Sequence, residues 1–170
     1  MNTRLFLTFI LLSSLLLSGC APVAPATDGL QVVAIESFLA DITQQVAGDR
    51  LTVQTLIPAG LDPHSFEATP QDVALIADSQ VLILNGGGLE EWLGEILENA
   101  GGEQLVIEAS AGLESRVPDV SEADLEHKEE GTHEGDPHFW LDPVLVIHYV
   151  ENIRDGLIEA DPEGKDAYTQ

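Results

Sequence analysis

One tripeptide, Asp-Pro-His, occurs twice in the sequence, at residues 62–64 and at residues 136–138. Neutral imidazole is a common ligand of zinc and of other transition metals. Proline restricts the backbone beside each histidine, which lowers the entropy that is lost when the ring is held at a ligand. Taken alone, either histidine is better explained as a polar loop residue. The repeated context favours a metal site, and it makes His64 and His138 the candidate ligands.

The aspartate that opens each tripeptide has a candidate role of its own. Asp62 and Asp136 are placed to accept the second ring N–H of their histidines, an arrangement that fixes the tautomer of a metal-bound imidazole. His138 also lies just ahead of a predicted helix that Asp142 caps. The positive end of that helix disfavours imidazolium, so it helps to keep the ring in the neutral form that binds metal.

The other histidines are weaker candidates. Residues 114–135 are acidic and without periodicity, which predicts an exposed loop. This loop contains His127 and His133, which could form an auxiliary metal site, although a solvated acidic loop is the favoured interpretation. His148 falls on the polar side of a predicted helix and is interpreted as a surface residue.

The elements that must position these residues alternate between strand and helix. Apolar, β-branched runs predict strands and spaced apolar positions predict helices. A parallel α/β sheet with helices on both faces follows, and loops after its strands meet at one edge, which places both Asp-Pro-His motifs there. On the predicted helix over residues 143–160, the residues expected to face inward are Leu145, Val146, Val150, Ile153 and Leu157. The predicted strands span 31–35, 51–57, 81–84 and 105–107, and the predicted helices span 37–46, 70–77, 89–97 and 143–160.

The N-terminus has the features of an export signal. Arg4 precedes an apolar run over residues 5–17, which is short for a membrane-spanning helix, and Leu-Ser-Gly-Cys closes it at Cys20. We expect residues 1–19 to be a lipoprotein signal peptide, Cys20 to carry the lipid, and the Pro/Ala-rich residues 20–29 to form a flexible tether. An ordinary thiol after a secretory signal is the alternative for Cys20. The protein is then exported and lipid-anchored, outside the cytoplasmic membrane or in the periplasm.

Composition and absent motifs limit the function. The chain of 170 residues has 30 Asp+Glu against six Lys+Arg, a net charge of −24, which repels nucleic acid and attracts cations. The same acidity also keeps an exported protein soluble. A single cysteine leaves metal chemistry to His and carboxylates. No hydrolase elbow, phosphate loop or His-Glu-x-x-His helix is present, so the sequence predicts a binding protein and no enzyme.

Three stretches together resemble the TroA-like zinc/manganese solute-binding lipoproteins of ABC importers. They are the Leu-Ser-Gly-Cys lipobox, the run from VVAIESFLAD to NGGGLEEW with its first Asp-Pro-His, and the run DPHFWLDPVLVIHYVENIRDGLIEADPEGKDAY. They cover most of residues 31–113 and 136–168. The resemblance implies two α/β lobes joined by a long rigid helix, with the metal in the cleft between them. It implies that residues 30–160 are the first lobe and that residues 161–170 begin the linking helix, where the sequence is expected to be truncated.

The resemblance also implies a function and a set of ligands. His64 and His138 become the first-lobe ligands, and a third His or a Glu, with an Asp, comes from a second lobe that this sequence does not contain. The protein would capture Zn²⁺ and deliver it to an ABC permease. Zn²⁺ is preferred to Mn²⁺ because imidazole suits zinc while manganese prefers oxygen. A surface adhesin is one alternative, and a secreted zinc hydrolase with Glu67 as its general base is another.

Overall fold

The computed structural model describes residues 29–100, 104–115 and 135–170. Within these ranges, four strands form one parallel sheet in the order β2-β1-β3-β4, and this confirms the predicted α/β class. The strands are β1 (Val32–Glu36), β2 (Val53–Ile57), β3 (Val81–Leu84) and β4 (Leu105–Glu108). The helices are α1 (Ser37–Ala47), α2 (Pro70–Asp78), α3 (Leu93–Ala100), α4 (Pro143–Ala160) and α5 (Lys165–Tyr168).

Both faces of the sheet are covered by helices, as the sequence predicted. Along the central strand β1, Val32 and Ala34 belong to one buried cluster and Val33 and Ile35 to another. The first cluster contains buried residues of α1 and α4, and the second contains buried residues of α2 and α3. Because alternate side chains of a strand point to opposite faces, a strand buried on both sides reads as a continuous apolar run.

Helix α4 begins where its capping residues predict. The side chain of Asp142 accepts the backbone N–H of Val144 at 3.0 Å, and proline occupies the first helical position. The buried row is Tyr149, Ile153 and Leu157, spaced four residues apart. The expectation that Val150 faces inward was wrong, because its side chain is 39% exposed, on the flank of that row.

The connection between β3 and α3 differs from the sequence prediction. The helix expected from residue 89 begins at Leu93, because residues 86–88 are three successive glycines with φ of 81°, 62° and 86°. A Cβ on Gly86 would overlap the side chain of Glu108, and a Cβ on Gly87 would lie 3.0 Å from the ring of Phe139. The glycine turn therefore lets the backbone pass close to β4 and to the residue after His138.

The end of α4 is tied to the turn between α1 and β2. Asp161 accepts hydrogen bonds from Arg50 at 2.5 and 2.8 Å and from the hydroxyl of Tyr168 at 2.6 Å. The bonds from Arg50, and then that from Tyr168, lower the pKa of Asp161 to about 2. This cluster also contains Gly164, which is buried in the short turn that leads into α5.

Several sequence predictions lie outside the described residues. They are the signal peptide (residues 1–19), most of the tether (20–29), Cys20, and the loop histidines His127 and His133. In the part of the chain that is described, no helix combines the length and the apolarity that are needed to cross a membrane.

Candidate metal centre

The structure brings the two Asp-Pro-His motifs together beyond the carboxyl ends of the strands. His64 lies in a short 3₁₀ turn (Pro63–Ser65) after β2, and His138 directly precedes another (Phe139–Leu141) that leads into α4. The Nε2 atoms of the two rings are 3.3 Å apart, and the ring centroids are 5.4 Å apart. The open-sheet topology thus places on one edge two residues that are 74 positions apart in the sequence.

Asp136 holds both the backbone and the ring of His138. One of its carboxylate oxygens, Oδ1, lies 3.0 Å from the backbone nitrogen of His138 and 2.6 Å from its ring Nδ1. A carboxylate can only accept, so Nδ1 carries the proton that it donates. In a neutral ring, Nε2 then presents its lone pair toward His64. The side chain of His138 is 39% exposed, so the ring lies at the surface and not in the core.

The surroundings of His64 are more open. Oδ1 of Asp62 accepts the backbone N–H of His64 at 3.0 Å and caps the short turn, and the ring of His64 is exposed. The indole N–H of Trp92 donates to the carbonyl of Pro63 at 3.1 Å. The Trp92 ring also packs against Phe66, with centroids 5.2 Å apart.

A buried polar group lies beneath the His138 motif. Asn85 is fully buried at the end of β3, and its side-chain nitrogen donates to the carbonyl of Pro137 at 3.0 Å. The hydroxyl of Tyr149 donates to the side-chain oxygen of Asn85 at 2.5 Å. Glu90 accepts the backbone N–H groups of Asn85 and Gly86 at 2.6 and 3.1 Å. We refer to Asn85, Glu90 and Tyr149 as the buried network.

Glu36, the last residue of β1, adds a second buried carboxyl beside Glu90. Its side chain is 2% exposed, and among the described residues its two carboxyl oxygens have no hydrogen-bond partner at normal geometry. Burial, and then the neighbouring charge of Glu90, raise the pKa of Glu36 far above its ordinary value. Burial raises the pKa of Glu90 as well. Burial therefore favours the protonated, uncharged form of Glu36.

The other candidate residues do not join the two imidazoles. Within the described ranges, no three His, Cys, Asp or Glu side chains are grouped closely enough to hold a metal ion, so Glu67 is not part of such a group. His148 is exposed on α4 and lies 3.8 Å from Glu151, in agreement with its interpretation as a surface residue.

Sequence reasoning missed the residues that hold the two motifs. Asn85, Trp92 and Tyr149 contact their partners across 52, 29 and 64 positions of the chain, respectively, and no local pattern encodes such contacts. One signal was available for Asn85. A polar side chain that directly follows a buried parallel strand lies at the edge where ligands bind.

Comparison with known proteins gives a consistent match. The family profile described as "ZnuA: Zinc-uptake complex component A periplasmic" matches residues 32–170. The manganese-binding lipoprotein MntA of Halalkalibacterium halodurans is 37% identical over 163 residues, covering 94% of this chain and 50% of the relative. The zinc-binding lipoprotein AdcA of Streptococcus pneumoniae is 34% identical over 160 residues, covering 92% of this chain and 32% of the relative.

A solved structure matches most of the chain. The Mn-bound periplasmic metal binding protein from candidatus Liberibacter asiaticus superposes with a TM-score of 0.70 at 32% identity. The superposition covers 82% of this chain and 49% of that protein. The chain thus spans half or less of the length of these three proteins.

Proposed function

Because the chain belongs to the ZnuA family of zinc-uptake components, we propose that it is the first lobe of a metal receptor that serves an ABC importer. The metal ion is its cargo, and Zn²⁺ is preferred to Mn²⁺. His64 and His138 are the ligands that this lobe contributes, and Asp136 orients the second of them. Residues 30–160 form the lobe, and residues 161–170 lead toward the linking helix.

The observation that carries this proposal is the separation of the two Nε2 atoms, 3.3 Å. Two nitrogens that each lie about 2.0–2.1 Å from a tetrahedral zinc ion are about 3.3–3.4 Å apart. The lone pair of His138 already points into this space, because Asp136 takes the proton of the other ring nitrogen. A zinc ion could bind between the rings with little rearrangement.

The preference for zinc rests on the donor set. Two imidazoles suit zinc, whereas manganese prefers more oxygen ligands. The relatives are named for both metals, so the oxygen ligands of the complete site decide how strongly the preference holds. We propose that these ligands, a third His or a Glu together with an Asp, come from a second lobe. A closed four-coordinate site holds its metal without activating water, which fits a receptor and not a hydrolase.

The proposed setting is outside the cytoplasmic membrane. MntA and AdcA are named lipoproteins, and this chain has Cys20 in a lipobox after an apolar run. We therefore propose that Cys20 is lipidated and that the receptor delivers its metal ion to the permease of the importer while it is anchored to the membrane.

Zinc titration with a competing chelator tests this function. In detergent micelles, the 170-residue chain is expected to bind one Zn²⁺ in the micromolar range, since it contributes only part of the ligand set. The double variant His64→Ala/His138→Ala should lose this binding, and His148→Ala, the same change at a surface histidine, should keep it. Unchanged binding in the double variant would show that the wrong residues were chosen. Tighter binding of Mn²⁺ than of Zn²⁺ would contradict the metal preference.

A further inference from the structure

The two Asp-Pro-His motifs are held in the same way by one segment of the chain. In each motif, the carbonyl of the proline directly before the histidine accepts a hydrogen bond from a side chain of residues 85–92. Asn85 binds the carbonyl of Pro137, and Trp92 binds the carbonyl of Pro63. We call residues 85–92 the bridging segment.

We propose that the bridging segment sets the distance between the two imidazoles, with Asn85 and Trp92 as positioning residues for metal binding. This inference rests on the proposed function for its consequence, although the positioning itself is a property of the metal-free chain. Each donor acts one residue before a histidine, so it fixes the backbone from which the ring projects. Because both donors belong to one short segment, the backbones that carry the two rings are held to the same part of the chain.

The amide of Asn85 has one possible orientation. Its side-chain nitrogen contacts two carbonyl oxygens, those of Pro137 at 3.0 Å and of Gly86 at 2.8 Å. Carbonyl oxygens only accept, so this end of the amide must be the NH₂ group. The hydroxyl of Tyr149 donates to the other end. Burial, and then neighbouring carboxylates, raise the pKa of Tyr149, so its hydroxyl keeps the proton that it donates.

Trp92 provides the matching bond on the His64 side. Indole has one donor and no acceptor, so the bond to the carbonyl of Pro63 uses its whole hydrogen-bonding capacity. The ring is partly buried and packs against Phe66, which lies two residues beyond His64. Trp92 therefore contacts the chain on both sides of His64.

The bridging segment is itself braced. Glu90 accepts two backbone N–H groups at the start of the segment, and the N–H of Gly87 donates to Glu108 of β4 at 3.3 Å. At its other end, the N–H of Leu93 donates to the carbonyl of Glu90 at 3.0 Å and begins α3. Glu90 thus joins the two ends, and a displacement of Asn85 relative to Trp92 would break several bonds at once.

Three variants test the positioning role. Trp92→Phe removes the indole N–H but keeps an aromatic ring, and Asn85→Ala removes the amide. Tyr149→Phe removes only the hydroxyl that holds the amide, and it serves if Asn85→Ala does not fold. We expect each of the three to weaken Zn²⁺ binding by the 170-residue chain about 10-fold, as loss of groups that orient metal ligands commonly does. Tyr168→Phe, which removes a tyrosine hydroxyl bonded to Asp161, should change Zn²⁺ affinity less than about twofold.

A second measurement needs no metal. In the ¹⁵N-histidine spectrum of the metal-free chain, Trp92→Phe should shift the ring signals of His64 more than those of His138. Asn85→Ala and Tyr149→Phe should do the opposite, and Tyr168→Phe should shift neither. General destabilisation would not produce this selectivity.

The outcomes separate the positioning role from the function. Ring signals and Zn²⁺ affinity that stay unchanged in all three variants would overturn the positioning role, even if the double histidine variant loses zinc. If the double histidine variant keeps zinc, the proposed function fails, and the ring signals alone then test the positioning role. Selective shifts then uphold the positioning of the two rings, and unchanged or unselective shifts overturn it.

Discussion

At residues 136–138 the aspartate contacts both the backbone and the ring of its histidine, whereas at residues 62–64 the contact given by the structure is to the backbone. The donors to the two proline carbonyls differ as well. Asn85 is fully buried, while Trp92 is only partly buried. The same three residues are therefore held by more contacts, and by a more deeply buried donor, at residues 136–138 than at residues 62–64.

The difference shows that tertiary surroundings, and not the tripeptide, decide how firmly a ligand is held. The His138 motif packs onto the buried network and is followed by the 18-residue helix α4. The His64 motif is followed by an extended stretch before the nine-residue helix α2. We infer that His138 is the preorganised ligand, and that His64 is the one whose ring adjusts when metal binds.

The largest expected difference between the two motifs is in how much the side chain that binds each proline carbonyl contributes to the stability of the fold. Asn85→Ala leaves the buried hydroxyl of Tyr149 without its acceptor and removes the two bonds that the amide donates to the carbonyls of Gly86 and Pro137. The carbonyl of Pro137 keeps the N–H of Phe139 at 2.9 Å, and the variant should lower the free energy of unfolding by about 2–5 kcal/mol. Trp92→Phe removes one hydrogen bond to the carbonyl of Pro63, a residue that is only partly buried, and should cost about 0.5–1.5 kcal/mol. Urea denaturation of both variants measures this. Equal losses would mean that the two motifs are equally supported.

The buried carboxyl of Glu36, beside Glu90, should make the stability of the folded chain depend on pH. The pKa of Glu36 is raised in the folded chain, so above pH 4.5 the folded state keeps a proton that the unfolded state releases. Stability should therefore fall as pH rises from 5 to 7, by up to about 1.4 kcal/mol per pH unit. Glu36→Gln cannot titrate and should lack this part of the fall. Parallel stability curves for the two proteins would contradict the buried proton.

The smallest expected effect compares the two aspartates directly. Asp136→Asn replaces the carboxylate that accepts the His138 ring proton by a neutral amide, whose oxygen is a weaker acceptor, and should weaken Zn²⁺ binding about 10-fold. Asp62→Asn keeps an oxygen that can accept the backbone N–H of His64, and should change the affinity less than about twofold. Chelator-competition titrations measure both. The reverse order would mean that the ring of His64, not that of His138, depends on its aspartate.

Local signals in the sequence predicted much of the fold. Strand β3 and helix α4 have the predicted limits, because a continuous apolar run and an Asp-Pro cap are both local. Helix α3 begins four residues later than predicted, since the conformation of residues 86–88 depends on contacts with Glu108 and Phe139.

The candidate metal site was also predictable from the sequence only in part. That His64 and His138 share one edge of the sheet follows from the parallel direction of the strands, which the alternation of strands and helices predicts. Their 3.3 Å separation does not, because it depends on Asn85 and Trp92, whose partners lie 52 and 29 positions away in the chain. A sequence pattern specifies which residues meet at a sheet edge, and the packing behind that edge sets their distance.

The acceptors in the two bonds of the bridging segment are main-chain carbonyls, and this has an evolutionary consequence. No side-chain substitution can delete a carbonyl, so residues 63 and 137 can change without losing the acceptor, provided that the backbone keeps its course. The donors have no such protection, because a single substitution at Asn85 or Trp92 removes a bond outright. Selection that maintains metal capture should therefore act on positions 85 and 92 together with the histidines. It should act more weakly on the two prolines that precede the histidines.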